Sequence, residues 1–224
     1  MNVPPYIQPI YLVVDESMPT EPHLEELSSG LDRFLTSMHN NPFSTLRVRF
    51  SIIGFSNTAR THLRSADLRT ITALPPLMSR GPNTSFKAAF EELHVNIRID
   101  VPHLKSAGSL VYRPYAILLL NSVPNIDDNW QPALQSILDD QFWPHILGFG
   151  LSESDPASIR HIATAQQYAA HQDAGIDTST ALHNFTLFLE RFIANFTMAH
   201  VGPHAIELPH GFSASISNDA DKRP

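Results

Sequence analysis

Cysteine is absent from the 224 residues. That excludes disulfides, zinc–thiolate sites and thiol catalysis, and leaves the compartment open. Apolar runs never exceed strand length, so no segment is expected to span a membrane. The opening stretch MNVPPYIQPIYLVVDES lacks the basic start and apolar core of a signal peptide. A cytoplasmic protein is the expectation. Basic residues are in deficit, with 15 Lys and Arg against 22 Asp and Glu and a formal net charge of −7. Such a surface repels a phosphate backbone, so nucleic acid is not an expected partner. Also missing are a Gly-x-Ser-x-Gly elbow, a phosphate-cradling Gly-x-Gly-x-x-Gly and a Walker loop. No internal repeat, low-complexity segment or mid-chain linker interrupts the sequence.

What is present suits one α/β domain over residues 1–200, large enough to cover a sheet on both faces. Ile10 to Val14 form an apolar run ending at Asp15, the pattern of a buried parallel strand. Leu24, Leu27, Leu31, Phe34, Leu35 and Met38 follow at helical spacing after Glu21-Pro22. A second strand spans about Leu46 to Phe55, and Ser56-Asn57-Thr58 turns it into an exposed edge strand around Arg60 to Arg64. Phe86, Ala89, Phe90, Leu93 and Ile97 mark a second helix, and Val101 to Arg113 reads as a loop. Tyr115 to Leu120 is a buried strand. A third helix carries Trp130, Ala133, Leu134, Ile137 and Leu138, with Asp127 and Asp128 expected to cap it. Ile146 to Gly150, a helix with Ile159 and Ile162, and a short strand at Tyr168 to His171 come next. The last helix has the strongest periodicity, through Phe185, Phe188, Leu189, Phe192, Ile193 and Phe196. Residues 201–224 are polar and are expected to be a largely disordered tail.

Strands alternating with helices predict a Rossmann-like three-layer sandwich: a mostly parallel sheet of about six strands with one antiparallel edge strand. In such sheets ligands collect beyond the carboxyl ends of the strands. There the sequence places Asp15, Glu16 and Ser17 after the first strand, Thr84 and Ser85 before the second helix, and Asn121 and Ser122 after the central strand. Oxygen-bearing side chains suit a hard divalent cation. They equally suit local bracing of the loops, with Asp15 and Ser17 bonding nearby backbone and Asn121 anchoring its own loop. Twelve histidines are read as scattered surface groups, because Gly202-Pro203 breaks the spacing of His200 and His204.

The strings YLVVDES, VRFSIIGFS, GPNTSFKAAFEEL and YRPYAILLLNSVPNIDDNW resemble von Willebrand factor A (VWA) domains, specifically the TerY-type proteins of bacterial tellurium-resistance clusters. The resemblance runs from Pro9 to Phe196. It implies a metal-ion-dependent adhesion site (MIDAS) built from an Asp-x-Ser-x-Ser motif, a distant Thr and an Asp after the central strand. These hold a magnesium-type ion, and an acidic residue of the partner completes its coordination. Asp15, Ser17 and Thr84 match the motif; Pro19 stands where the second serine belongs, and Asn121 replaces the aspartate. Met18 takes the place of the glycine between the serines, and Thr20 is a candidate substitute hydroxyl. One ligand and one negative charge are therefore missing, which implies a degenerate site that holds Mg²⁺ weakly and no tightly bound cofactor. The resemblance implies a non-enzymatic interaction module, an adaptor whose partner is a protein kinase or phosphatase. Asp15, Glu16, Ser17, Thr84, Ser85, Asn121 and Ser122 then form its binding face. The alternatives are a metal-assisted hydrolase using Asp15 as base, or a purely structural scaffold.

Overall fold

The computed structural model describes residues 5–198 and 206–215. Among these, eight strands and five α-helices follow the chain as β1 (Tyr6–Asp15), α1 (Glu21–Asn40), β2 (Val48–Phe55), β3 (Ala59–Ala66), α2 (Phe86–Ser106), β4 (Leu110–Val111), β5 (Tyr115–Leu120), α3 (Gln131–Leu138), β6 (His145–Gly150), α4 (Pro156–Ile162), β7 (Ala169–Gln172), α5 (Thr178–Met198) and β8 (Phe212–Ala214). The sheet order is β3-β2-β1-β5-β6-β7-β8, with β4 alongside the start of β1. Strands β2, β1, β5, β6 and β7 run parallel. The hairpin strand β3 is antiparallel to β2, as its turn predicts.

Alternation along β1 sorts the two cores. Ile10, Leu12 and Val14 face one side and pack with α1 and α5, while Tyr11 and Val13 face the other and pack with α2, α3 and α4. Both faces of the sheet are thus covered, which is why the central strands read as unbroken apolar runs. The periodic stripe of α5 is buried throughout, from Phe185 to Phe196. At Gly30 on α1 a Cβ would lie 2.7 Å from Thr186 Cγ2, so the absence of a side chain lets α1 and α5 approach closely.

The structure corrects the sequence reading in four places. The segment 101–113 is not all loop: α2 continues through Pro102 to Ser106, and β4 follows. Val101 and Leu104 are buried in that last turn, and their burial offsets the hydrogen bond that Pro102 removes. Asp127 and Asp128 do not cap α3, whose N-cap is Trp130 with no side-chain bond. Asp128 serves α2 instead, accepting from Ser85 Oγ at 2.8 Å and from Lys87 N at 3.2 Å. The expected tail contains structure, because residues 212–214 form β8, antiparallel to β7. With β4 and β8 the sheet exceeds the expected six strands, and a second antiparallel edge closes its far side. Residues 199–205 and 216–224 lie outside the described residues, and with them His200 and His204.

Candidate functional site at the carboxyl edge of the sheet

The chain leaves β1 for β2 on one side and later returns to β5 on the other. This reversal opens a crevice between the carboxyl ends of β1 and β5, the usual ligand position in an open α/β sheet. Asp15 ends β1 and Asn121 follows β5, so the two flank it.

Asp15 is fully buried. Its Oδ1 accepts from Ser17 N at 2.9 Å, and its Oδ2 accepts from Asn121 N at 3.2 Å and from the Ser122 hydroxyl. The Asn121 amide is spent at both ends. Nδ2 donates to the Pro19 carbonyl at 2.8 Å, and Oδ1 accepts from Glu153 N at 3.3 Å. Asn121 therefore ties the loops after β1, β5 and β6 together. Pro19, which offers no side-chain ligand, supplies its backbone oxygen to that anchor. Thr84 sits on the other rim, where its N donates to Asn125 Oδ1 at 3.1 Å and its carbonyl accepts from Asn125 N at 3.0 Å. Ser85 caps α2 by accepting from Ala88 N.

Glu16 behaves differently from its neighbours in sequence. Its side chain is wholly buried and faces the hairpin, with His62 Nε2 3.0 Å from Oε1 and Arg80 Nε 2.9 Å from Oε2. Met78 N donates to Oε1 at 3.3 Å. The His62 contact has the distance of an ion pair but not the direction of a hydrogen bond. At Gly54 of β2 a Cβ would fall 2.2 Å from Glu16 Oε2 and 2.3 Å from His62 Nε2. The cluster exists only because that position is glycine. Nothing in the local sequence pairs Glu16 with His62 or Arg80; the pairing is made across three separate chain segments.

As part of a binding face, Ser17 and Thr84 are expected near the surface, and the structure corrects this. Asp15, Glu16, Ser17, Thr84, Asn121 and Ser122 are all buried, and Ser85 is half-buried. Glu16 in particular presents nothing to a partner. Ser17 Oγ and Thr20 Oγ1 are buried with no hydrogen-bond partner. For a metal, the orphaned Ser17 hydroxyl and the Asp15 carboxylate are oxygen donors of the right kind. Asp15 already accepts three protein hydrogen bonds, however, and Asn121 has no free end. Among the described residues no group of three or more His, Cys, Asp or Glu could hold an ion. The single carboxylate has both oxygens engaged by protein donors and the Asn121 amide adds no negative charge, so the residues do not fit a tightly held metal.

Solved structures share this architecture at low identity. The proximal thread matrix protein 1 of the mussel byssus matches with a TM-score of 0.56 and 13% identity, over 87% of this chain and 46% of that one. A von Willebrand factor type A structure from Catenulispora acidiphila matches with a TM-score of 0.52 and 13% identity, over 85% and 42%. The fold is that of a von Willebrand factor A domain. The pilus adhesin SpaC of Lactobacillus rhamnosus GG aligns on the same VWA fold with a TM-score of 0.66 and 16% identity, over 88% of this chain and 31% of that one. The chain spans less than half the length of each of these proteins. A further structure of the mussel protein has a zinc-occupied MIDAS motif. No family model matches the sequence, and no curated protein matches it. Among the described residues no helix is long and apolar enough to cross a membrane.

Proposed function

We propose that this VWA domain is a non-enzymatic protein-interaction module, a cytoplasmic adaptor whose partner docks on loops 15–22, 80–86 and 121–129. The system is a bacterial stress response of the tellurium-resistance, TerY-type kind, and the partner is a protein kinase or phosphatase. One observation carries the reading: the carboxylate and the amide at the crevice, Asp15 and Asn121, are spent on joining loops. Asp15 accepts three protein hydrogen bonds and Asn121 is bonded at both ends. Hydrolysis needs a base free to take a proton from water. Asp15 and Glu16 are the two carboxylates at the crevice, and both are committed to protein donors. What remains is a braced platform whose shape depends on protein contacts.

A divalent ion at this site would be held by Asp15 and Ser17, and with a single carboxylate its affinity is expected to be about millimolar. Affinity capture from the native host, with and without EDTA, tests the reading. Recovery of a kinase or phosphatase that survives EDTA and is lost on Val123→Asp supports it. A chain that turns over a phosphoester or peptide by itself overturns it.

A further inference from the structure

The rim of the crevice differs in character from its interior. Met18, Met78, Val123 and Ile126 are all exposed, at 51%, 52%, 56% and 103% of their full accessibility. Their loops are joined by hydrogen bonds around the carboxyl edge of the sheet. Met18 N donates to the Gly81 carbonyl at 3.0 Å, Asn121 reaches Pro19, and Asn125 and Thr84 bond each other twice. Four large apolar side chains displayed around one end of a sheet, on loops that are otherwise rigidly cross-braced, are a feature of interaction surfaces.

The charge around them is predominantly negative. Glu21 at the start of α1, and Asp127 and Glu153 on the loops after β5 and β6, are exposed. The segments 15–22, 77–87, 121–130 and 151–156 contain two cations, Arg80 and Lys87. Arg80 is held on Glu16, and Lys87 lies 3.9 Å from Glu91 on its own helix. Asp155 stays ionised: burial raises its pKa, but hydrogen bonds from Ser158 and Ala157 outweigh this and lower it overall. The face is therefore acidic as well as apolar.

We propose that the partner of this face is a protein segment that is itself basic and carries large apolar side chains, which pack on Ile126 and Val123 while its Lys or Arg residues meet Asp127, Glu153 and Glu21. The inference rests on the preceding reading that these loops are the docking surface. It inverts the partner chemistry that the sequence resemblance implies, where an acidic side chain completes a metal site. Opposite charges on the rim favour encounter and orientation, and the apolar centre supplies the desolvated contact.

A random peptide library displayed on phage and selected on the folded chain, in EDTA, tests it. The expected result is enrichment of peptides with net positive charge and at least one large apolar residue. A synthetic peptide from that set should bind roughly tenfold more weakly to Ile126→Ser, which removes the apolar contact without changing the charge and whose native side chain is fully exposed. Asp127→Lys with Glu153→Lys should also weaken it and flatten its salt dependence. Thermal melts of the variants should match the parent. Enrichment of acidic or uncharged peptides, or of none, overturns the inference. Acidic peptides that need Mg²⁺ and are lost on Ile126→Ser would overturn it while keeping this face as the docking surface. Basic peptides whose binding ignores both Ile126→Ser and the double charge reversal would overturn both.

Discussion

Single residues in this domain owe their roles to what lies across from them. Gly54 is the clearest case, since any Cβ there would enter the space of Glu16 and His62. Gly54→Ala is expected to lower stability by roughly 1–3 kcal/mol, through displacement of a buried carboxylate from its partners. Urea denaturation measures it, and a neutral result would mean that the cluster can shift freely. The orphaned hydroxyls behave in the opposite way. Ser17 Oγ and Thr20 Oγ1 are buried without a partner, so Ser17→Ala and Thr20→Val each remove an unpaid desolvation cost. Stability should stay level or rise by about 1 kcal/mol. A loss beyond that in denaturant melts would show that these hydroxyls are satisfied in solution. Asn121→Ala frees the Pro19 carbonyl and the Glu153 amide together, and a cost of about 1–3 kcal/mol follows.

At the scale of elements, stability is divided sharply between faces of the same helix. On α5, Leu189 is completely buried while Leu187 is 40% exposed. Leu189→Ala should therefore cost roughly 2–5 kcal/mol and Leu187→Ala no more than about 0.5 kcal/mol. The pair, measured by thermal or chemical unfolding, checks the packing of α5 against the sheet, since equal losses would place the buried stripe elsewhere. Helix α2 shows tertiary contacts overriding local preference. A proline inside a helix is costly, yet Val101, Leu104 and Asp100 beyond or beside it are anchored. Asp100 accepts from Tyr11 Oη at 3.1 Å and from Arg64 Nε at 2.8 Å. Burial and the adjacent Asp100 carboxylate push the Tyr11 hydroxyl's pKa well above the ordinary phenolic range, so it remains a donor at any physiological pH.

Over the whole molecule, the sheet is closed at both ends by antiparallel strands. On the β3 side a hairpin does this, and on the β7 side β8 arrives from beyond α5. Phe212 of β8 packs edge-on to Phe149 of β6, with centroids 5.5 Å apart. Ending the chain at residue 205 would uncover β7 and the Phe149 surface. A lower thermal midpoint and concentration-dependent aggregation are expected, because an unpaired edge strand offers its backbone N–H and C=O groups to further pairing. Phe212→Ala keeps the strand but empties the contact, at a cost of about 3–5 kcal/mol. Light scattering on the truncated chain separates edge exposure from simple loss of packing. A truncated chain that stays monomeric with an unchanged melt would show that β8 contributes little.

Sequence alone was sufficient for the alternating order of the central strands and helices. Short unbroken apolar runs at Ile10–Val14 and Tyr115–Leu120 read as strands covered on both faces, and the period of Phe185 to Phe196 reads as a helix lying on them. From that topology, Asp15 and Asn121 had to meet at the carboxyl edge. Three features depended on the tertiary structure, and each is a contact between distant segments with no local signature. Asp128 turns to α2 because Ser85 and Lys87 are presented to it, although it stands next to α3 in sequence. Strand β8 forms in a polar stretch because β7 offers a free edge, and the hydrogen bonds of that edge do not depend on side-chain pattern. The crevice hydroxyls and carboxylates are buried because three loops close over them, so residues that look like surface chemistry in one dimension become internal braces in three.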